Sequence, residues 1–373
     1  MAKQPIKKKT TGELGNKLDV LNKYKTKNNL TETKQKPQEW LVLPEAFQEA
    51  LEVPGLPLCE CSCVLGHSNT GKSTLMLEII KACQKQGIVP VVFDLENGIK
   101  WKHAKSVGVE VGEYLDEETG EVIYGPSDDM IFYDTVSLYE QFKCYNHEDG
   151  KYEAKPKRDN YCIEDVALCI REILRTQKEE DWDFNLFFII DSIGVGESYM
   201  SAVKGKTNNM WYAGAFTTSF NVIGNDLIPA SKNINSKWSN SLFFVNKVSV
   251  ETTFTGIKVA KAKGSSYSGD YLRRFAIFLG NQGSAGAKAD GITYNGEFYE
   301  CLRTVNISLT KNHITDIMRE GKICSTKNGF IAPKDVNAYK DEFKKYLKEK
   351  LSLKHNKTVT EADFVDAERD VAD

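Results

Sequence analysis

Residues 66–74 carry the segment Gly66-His67-Ser68-Asn69-Thr70-Gly71-Lys72-Ser73-Thr74. It contains the complete phosphate-loop pattern G-x-x-x-x-G-K-[ST]. The apolar run from Cys61 to Leu65 before it predicts a buried strand, and the stretch from Leu75 to Ile80 after it predicts a helix. The pattern requires this strand–loop–helix context, and the sequence provides it. We therefore favour a phosphate loop over a chance glycine-rich turn. The sequence therefore predicts a binding site for a nucleoside triphosphate.

The residues of this loop have distinct predicted roles, and we expect all nine to contact the nucleotide. Gly66 and Gly71 let backbone N–H groups curl around phosphates, and the helix N-terminus adds positive potential. Lys72 is expected to reach the β- and γ-phosphates. The hydroxyl of Ser73 is expected to coordinate Mg²⁺.

Three further apolar runs end in polar residues. Ligands bind outside the carboxyl ends of the strands in a parallel sheet, so these residues are expected to share one edge with the phosphate loop. The three strand ends are Asp94-Leu95-Glu96 after Ile88 to Phe93, Asp191 after Leu186 to Ile190, and Asn246-Lys247 after Ser241 to Val245.

Two carboxylates at these strand ends suggest hydrolysis. Glu96 is the candidate that orients or deprotonates an attacking water, with a solvated surface acid as the alternative. An apolar strand that ends in an acid, as at Asp191, is typical of the motif that holds Mg²⁺ beside a triphosphate.

These features together resemble the RecA family of recombinases, and within it the phage UvsX-like branch. The resemblance covers roughly residues 46 to 330. It rests on the phosphate loop, Asp94-Leu95-Glu96, Ile190-Asp191-Ser192-Ile193, Phe243-Phe244-Val245-Asn246 and the late strand from Val305 to Asn312. It implies an α/β fold with a RecA-like P-loop NTPase core, in which helices flank a mostly parallel central sheet. It also implies a DNA-dependent ATPase with ATP and Mg²⁺ as cofactors.

The resemblance assigns roles to two residues outside the phosphate loop. Lys311 on the late strand looks like the lysine that reaches the nucleotide of a neighbouring subunit. Asn246 precedes the position where the family commonly has a glutamine that senses the γ-phosphate. This chain has Lys247 there, so the sensing role is altered or has passed to Asn246.

Two segments are expected to contact single-stranded DNA if the resemblance holds. The first runs from Glu197 to Tyr212 and includes Trp211, and the second runs from Val248 to Tyr271 and is rich in lysine and glycine. An ordinary surface loop is the alternative for each. Phosphate contacts from cations give sequence-independent, salt-sensitive binding. The predicted DNA-binding residues are Lys204, Lys206, Lys258, Lys261, Lys263, Arg273 and Arg274.

The resemblance implies a protein of homologous recombination that forms a filament on single-stranded DNA and promotes strand exchange with homologous duplex DNA. Repair and replication of DNA are the associated processes. Other copies of this chain, single-strand-binding proteins and loader proteins are the expected partners. The alternative is a RecA-fold motor or regulator, such as a DnaB-type replicative helicase or a KaiC-like ATPase. A helicase is expected to use an arginine on the late strand, so Lys311 favours the recombinase.

Length and composition fit one large α/β domain with small appendages. The 373 residues are 41% hydrophobic and 27% charged, which is ordinary for a globular protein. We predict a basic N-terminal arm with a short oligomerisation helix over residues 1–45, a RecA-like ATPase core over 46–334, and a C-terminal helix with an acidic tail over 335–373. Two insertions are expected, a hairpin within 116–129 and a polar surface excursion at 145–161.

The two ends of the chain differ in charge. Residues 1–38 hold ten lysines against three acidic residues, and residues 361–373 hold six acidic residues against one arginine. This asymmetry indicates that the basic arm binds DNA and that a free acidic tail competes with DNA. The alternative is that both ends are simply solvated. An amphipathic helix is predicted in the arm, to dock on a neighbouring subunit or on its own core, from Leu14, Leu18, Leu21 and Tyr24.

The sequence predicts no membrane association. No apolar stretch approaches the roughly 20 residues that span a bilayer, and the lysine-rich start is not followed by an apolar region. Nine cysteines in a chain of this length do not make a secreted disulfide framework. Cys59, Cys61 and Cys63 alternate along a strand without the spacing of a zinc site. We therefore expect a cytoplasmic protein, in the host cell if it is phage-encoded.

Overall fold

The computed structural model describes residues 19–25, 27, 34–205, 209–252, 254–256, 258–262, 272–281, 284–355, 359–360 and 363–371. Two residues of the amphipathic helix predicted in the N-terminal arm, Leu14 and Leu18, lie outside this part of the chain.

The elements follow one another along the chain in a mixed α/β order. The N-terminal half comprises β1 (Trp40–Val42), α1 (Glu45–Leu51), β2 (Gly55–Pro57), β3 (Cys61–Gly66), α2 (Lys72–Lys85), β4 (Ile88–Asp94), α3 (Trp101–Val107), β5 (Val111–Leu115), β6 (Val122–Pro126), β7 (Ile131–Asp134), α4 (Thr135–Phe142), β8 (Tyr145–Asn146), β9 (Lys151–Tyr152), α5 (Ile163–Glu179) and β10 (Asn185–Asp191). The C-terminal half comprises α6 (Tyr199–Lys204), α7 (Asn209–Val222), a π-helical turn (Ile223–Leu227), a 3₁₀ turn (Pro229–Lys232), β11 (Ser241–Thr252), β12 (Lys258–Ala262), β13 (Phe275–Leu279), β14 (Ala287–Tyr294), β15 (Glu297–Asn312), β16 (Glu320–Thr326), β17 (Gly329–Ile331), a 3₁₀ turn (Pro333–Asp335), α8 (Val336–His355) and β18 (Val365–Asp370).

Among the described residues, one large sheet of 12 strands forms the centre of the structure, with the order β17-β16-β15-β13-β3-β11-β10-β4-β7 along its main path. The strands from β13 to β7 are all parallel, as predicted for the centre of the sheet. The strands β14 to β18 add an antiparallel part on the side of β13. The sequence pattern does not indicate this antiparallel part.

The central strands are buried on both faces, as expected of continuous apolar runs in a parallel sheet. On β10, Phe187 and Ile189 belong to one core, and Phe188 and Ile190 belong to the other. The first core includes apolar residues of α2, and the second includes residues of α5 and α7. Packing on both faces fixes the strands in register and so fixes the positions of the residues at their ends.

The two insertions are attached to this core in different ways. Residues 111–126 form the antiparallel hairpin of β5 and β6, with Gly120 at a φ of 70° in its turn, which confirms the predicted hairpin. The excursion at 145–161 contains the short β8–β9 hairpin. It is more than a polar surface segment, because the side chain of Arg158 is buried and pairs with Asp165 of α5 at 2.5 Å.

The N-terminal region joins the core from residue 34 onwards. Residues 19–25 are helical, as predicted, with Leu21 and Tyr24 exposed. The Ile234 amide donates to the Lys34 carbonyl at 2.8 Å, and β1 pairs with β2.

The expectation of a free acidic tail is wrong for residues 365–370. They form β18, which pairs with β14 at the end of the antiparallel part of the sheet. Phe364 packs against a small apolar cluster that includes Ile292 and Leu347. Lys344 of α8 pairs with Asp366 at 2.9 Å. Apolar contact and a cation partner therefore hold a segment whose composition alone suggested a solvated end.

Within the part of the chain that the structure describes, no helix combines the length and the apolar character needed to cross a membrane.

Candidate active site

The phosphate loop connects β3 to α2 and is held in a curled conformation by its own groups. Gly71 has a φ of 91°, a region that favours glycine, and a Cβ added there would lie 3.1 Å from the ring of Phe330. The buried hydroxyl of Thr70 donates to the carbonyl of His67 at 2.8 Å. The loop therefore depends on glycine both for its backbone and for its close approach to β17.

Lys72 is the first residue of α2, and its amine donates to the His67 carbonyl at 2.5 Å. Burial lowers the pKa of Lys72 to about 8, with Lys247 acting in the same direction and Asp191 and Glu96 in the opposite one. Lys247 lies beside Gly66 in the pairing of β11 with β3. Lys72 of α2 and Lys247 of β11 therefore both bring positive charge to the loop.

The polar strand ends converge on one edge of the sheet, as the sequence predicts. Asn246 is paired with Leu65 just before the phosphate loop. Asp191 is paired with Val245 on one side and with Asp94 on the other. The edge therefore presents the loop, an amide and two carboxylates in sequence across neighbouring strands.

The two carboxylates at this edge have different surroundings. Asp94 accepts hydrogen bonds from the backbone N–H groups of Gly98 at 2.9 Å and Ile99 at 3.0 Å, so it fixes the turn after β4. Asp191 is 7% exposed. Burial, followed by the carboxylates of Glu96 and Asp94, raises the pKa of Asp191 to about 7, while Lys72 opposes this rise. Asp191 is therefore the carboxylate whose negative charge is least compensated.

The donor set at this edge fits a magnesium ion. The hydroxyl of Ser73 and the carboxylate of Asp191 are oxygen donors, which Mg²⁺ prefers. The raised pKa of Asp191 shows that its ionised form would gain from a nearby positive charge. The buried Oδ1 of Asn246 has no hydrogen-bond partner among the described residues, and a buried acceptor normally has one. These residues are thus compatible with a metal ion and a polar ligand beside the loop.

Glu96 lies just beyond the end of β4, with an exposed side chain. The hydroxyl of Ser192 donates to its carboxylate at 2.5 Å. The Leu95 amide donates to the Asp191 carbonyl at 2.6 Å, so the ends of β4 and β10 are tied by two hydrogen bonds. Sequence reasoning missed Ser192 as a functional candidate, although a hydroxyl directly after the strand-end acid was the available signal.

A cavity of about 400 Å³ lies beside the loop, between the start of α2 and the antiparallel strands. Arg303 reaches the loop from β15, where it donates to the Asn69 carbonyl at 3.3 Å and pairs with Glu300 at 2.5 Å. Residues that the sequence did not indicate as part of the site contribute to the lining of this cavity: Glu300, Arg303, Ser325, Thr326, Lys327 and Phe343.

Lys311 does not lie next to the phosphate loop of its own chain. It is paired with Ala276 of β13, which is paired with Cys63 of β3. By standard strand spacings, Lys311 is displaced from Gly66 by roughly 10 Å along the strand direction and by roughly 10 Å across the sheet. Burial lowers the pKa of Lys311, and Arg273 and Arg274 lower it further.

The first predicted DNA segment is largely helical. Residues of α6 and α7 occupy most of it, and Lys204 lies 4.8 Å from the ring centre of Trp211. Tyr212, the last residue of the segment, is buried, and its hydroxyl donates to the Ile193 carbonyl. Its role is therefore in the core. Lys206 lies outside the described residues.

The second predicted DNA segment begins as a β-hairpin. β11 continues beyond the sheet edge to Thr252 and pairs with β12, which contains Lys258 and Lys261. Phe254 lies between the two strands and is fully exposed. Sequence reasoning missed Phe254, an aromatic residue next to a Thr-Gly turn. Lys263 and residues 264–269 lie outside the described part of the chain.

The remaining two predicted DNA residues lie elsewhere. Arg273 and Arg274 directly precede β13, at the amino-terminal end of the parallel strands. The Arg274 amide donates to the Cys61 carbonyl at 2.7 Å, and the guanidinium of Arg273 lies 3.8 Å from the Cys63 sulfur. The structure therefore separates these arginines from the hairpin and brings them near Lys311.

The N-terminal part of the chain is similar to known proteins. Residues 30–132 match the model of the RecA N-terminal domain family. A segment of 78 residues is 38% identical to Protein RecA of Francisella philomiragia subsp. philomiragia, which is 20% of this chain and 22% of that protein. Over 78 residues the chain is 37% identical to Protein RecA of Francisella tularensis subsp. novicida, with the same coverage. The matched part of the chain thus spans about a fifth of the length of these curated relatives. The matches support a relationship to the RecA family for the region that contains the phosphate loop and Glu96.

Proposed function

We propose that this chain is an ATP-dependent recombination protein that assembles as a filament on single-stranded DNA and promotes strand exchange with a homologous duplex. Within the RecA family, the proposal places it in the UvsX-like branch. The observation that carries the proposal is the separation of Lys311 from the phosphate loop of its own chain. If both belong to one nucleotide site, that site is divided between two edges of the chain. It is complete only when copies stack head to tail, so that the Lys311 edge of one copy faces the phosphate loop of the next.

The proposed reaction at the strand-end edge is hydrolysis of ATP. The backbone N–H groups of residues 66–74 and the Lys72 amine bind the phosphates, and the cavity beside the loop has room for ribose and base. Ser73 and Asp191 would hold Mg²⁺, which would supply positive charge to neutralise the phosphate oxygens. Glu96, oriented by Ser192, accepts a proton from the attacking water.

Detection of the γ-phosphate is assigned to β11. Asn246 and Lys247 lie on this strand beside the loop. The Lys247 amine can donate to a phosphate oxygen, and the Asn246 amide oxygen can accept a hydrogen bond from the water. The same strand continues into the hairpin that carries Lys258 and Lys261. This continuity supports a coupling between nucleotide state and DNA grip.

The proposed DNA surface combines cations with exposed apolar groups. Lys204 and Trp211 come from the first segment, and Phe254 and the hairpin lysines come from the second. Met210, at 82% exposure, adds an apolar group beside Trp211. Such a combination suits single-stranded DNA, because phosphates pair with cations and bases stack on aromatic rings.

Electron microscopy with long single-stranded DNA and a slowly hydrolysed ATP analogue tests the proposal. Helical filaments that require the analogue, and that are lost in Lys72→Ala, are the expected result. Closed hexameric rings would instead favour the DnaB-type or KaiC-like alternative. Lys81→Ala on the same helix, whose lysine pairs with Glu78, is a matched control that should still assemble.

A further inference from the structure

Phe343 of α8 lines the cavity beside the phosphate loop. Among the described residues that line this cavity, it is the one with an aromatic side chain. The other lining residues belong to the phosphate loop, α2, β15, β16 and the turn after β16. The C-terminal helix therefore contributes one aromatic ring to the wall of the proposed nucleotide site.

The cavity wall combines a phosphate-binding part with an apolar part. Lys72 and Ser73 belong to the first part, and Leu302 and Phe343 provide large apolar side chains in the second. A nucleotide has the same division, because its phosphates are charged while the faces of its base are apolar and aromatic. Since the phosphates are assigned to the loop, the base is expected to lie on the apolar part, where an aromatic ring can stack on it.

Two other aromatic residues near the site are engaged in the core. Phe330 is buried behind Gly71, and its ring packs edge to face on Phe47 with the ring centres 5.2 Å apart. Trp101, which begins α3 after the Glu96 segment, packs in the same way on Phe132 at 5.1 Å. Phe343 is therefore the aromatic side chain that is in position to cover the base.

Phe343 also contacts the packing that holds the C-terminal cap, the name we give to α8 together with β18. It packs against one apolar cluster that includes Leu302 of β15, and against a second that includes Ile292 of β14 and Leu347 of α8. Phe364, directly before β18, packs against the second cluster as well. One ring thus contacts both the ligand cavity and the residues that anchor β18.

Two ion pairs tie the same part of α8 to the sheet. The Lys340 amine lies 2.6 Å from the Asp290 carboxylate of β14, and the Lys344 amine lies 2.9 Å from the Asp366 carboxylate of β18. Both lysines lie within one helical turn of Phe343. A ligand that holds this turn of α8 in place therefore also favours the pairing of β18 with β14.

We infer that Phe343 stacks on the base of the bound nucleotide, and that this contact couples nucleotide binding to the docking of the C-terminal cap. The inference rests on the proposed function, because it takes the cavity beside the loop as the nucleotide site. A ligand with a base contacts the loop and the ring, whereas a ligand of phosphates alone contacts only the loop. By linkage, the docked cap raises affinity for a nucleotide by the same factor by which the nucleotide favours docking.

Equilibrium binding of ATP, ADP and inorganic tripolyphosphate, each with Mg²⁺, is the first test. Phe343→Leu keeps an apolar side chain but removes the ring, so we expect it to bind ATP and ADP about tenfold more weakly, the scale of a base that loses its aromatic partner. Its affinity for tripolyphosphate, which has no base, should equal that of wild type. Phe343→Tyr should bind all three ligands as wild type does. Leu353→Ala, which alters an exposed residue of α8, is the control, and thermal unfolding checks that each variant is folded.

Hydrogen exchange of the β18 amides in the full-length protein is the second test. Saturating ADP should slow exchange at residues 365–370 of wild type by up to about tenfold, since linkage limits the effect to the factor by which the ring strengthens binding. Tripolyphosphate should slow this exchange much less. In Phe343→Leu, saturating ADP should have no more effect than tripolyphosphate.

The outcomes separate this inference from the proposed function. Wild-type affinity of Phe343→Leu for ATP would overturn the inference and leave the proposed function intact. Equal weakening of ATP and tripolyphosphate would also overturn it, because the substitution would then act through the phosphate loop. Exchange in β18 that tripolyphosphate slows as much as ADP would show that the base does not act on the cap. If wild type binds neither ATP nor tripolyphosphate, the proposed function itself fails.

Discussion

The hydroxyl of Ser192 donates a hydrogen bond of 2.5 Å to the carboxylate of Glu96. The two residues follow neighbouring strands, β10 and β4, so the bond joins two strand ends that are distant in sequence. A hydrogen bond to a carboxylate is among the stronger ones, and here it orients an exposed side chain. Ser192 is therefore a positioning residue for the proposed base.

Glu96→Gln should bind ATP but not hydrolyse it, because an amide cannot accept the proton of the water. Ser192→Ala should lower kcat by about tenfold with little change in KM, since the base remains but is less well oriented. Ser192→Thr keeps the hydroxyl and should recover activity. Steady-state phosphate release and nucleotide titration measure these effects. Wild-type turnover by Glu96→Gln would show that Glu96 is not the base.

Lys311→Ala should leave nucleotide affinity of the isolated subunit unchanged and depress DNA-stimulated hydrolysis. The reason is that its charge is proposed to act on the triphosphate of a neighbour. Mixing it with Lys72→Ala subunits creates some interfaces with an intact loop and an intact lysine. Hydrolysis in the mixture should exceed that of either variant alone, and the absence of any recovery would contradict a role between subunits.

Replacing Lys258, Lys261 and Lys263 together with alanine should weaken binding to all single-stranded sequences similarly. The salt slope should fall by up to roughly 0.7 for each phosphate that is no longer neutralised. Phe254→Ala should weaken binding by about 1–3 kcal/mol without changing that slope, as expected when a base loses its aromatic stacking partner. Fluorescence anisotropy over a salt series distinguishes the two, with Phe254→Trp as the control that keeps stacking. Wild-type affinity in both variants would exclude the hairpin as a DNA surface.

Asp191→Asn should stabilise the protein more at pH 8 than at pH 5 in the absence of metal and nucleotide. The pKa of Asp191 is raised to about 7 in the folded chain, so between this pKa and its ordinary value the folded state binds more protons than the unfolded state. Stability from this group therefore falls as pH rises to about 7. We expect a gain of roughly 1–3 kcal/mol at pH 8 and a smaller one at pH 5. Denaturant unfolding at both pH values measures it, and a gain independent of pH would contradict the buried charge.

Truncation after Thr360 should destabilise the fold, contrary to what a free tail would do. It removes β18 from β14 and Phe364 from its apolar cluster, which should cost about 1–3 kcal/mol. Replacing Asp366, Glu368 and Asp370 with their amides keeps the strand and isolates the effect of charge. This variant should bind duplex DNA more tightly at low salt, and unchanged binding would argue against electrostatic competition by the C-terminal segment.

The sequence was most informative where local chemistry and burial act together. Continuous apolar runs predicted the parallel strands, and the residues that end them predicted the shared edge with Asp191 and Asn246. The antiparallel part was harder to predict, because only long-range pairing brings Arg303 to the loop and Lys327 to the lining of the cavity beside it. Arg273 and Arg274 were grouped with the DNA lysines because they are close in sequence, although pairing with β3 carries them to the opposite edge. Charge composition likewise could not reveal that Phe364 anchors an acidic strand.

β11 is one uninterrupted strand from Ser241 to Thr252, with Asn246 beside the phosphate loop and the hairpin at its far end. Because β11 is paired with neighbouring strands along its length, we expect it to move as a rigid unit. The segment beyond Asn246 is roughly 20 Å long, and a tilt of about 10° at its base would shift the hairpin tip by about 3 Å. That shift is comparable to the spacing between stacked bases. Under the proposed function, loss of the γ-phosphate beside Asn246 would therefore change the position of the hairpin tip relative to bound DNA.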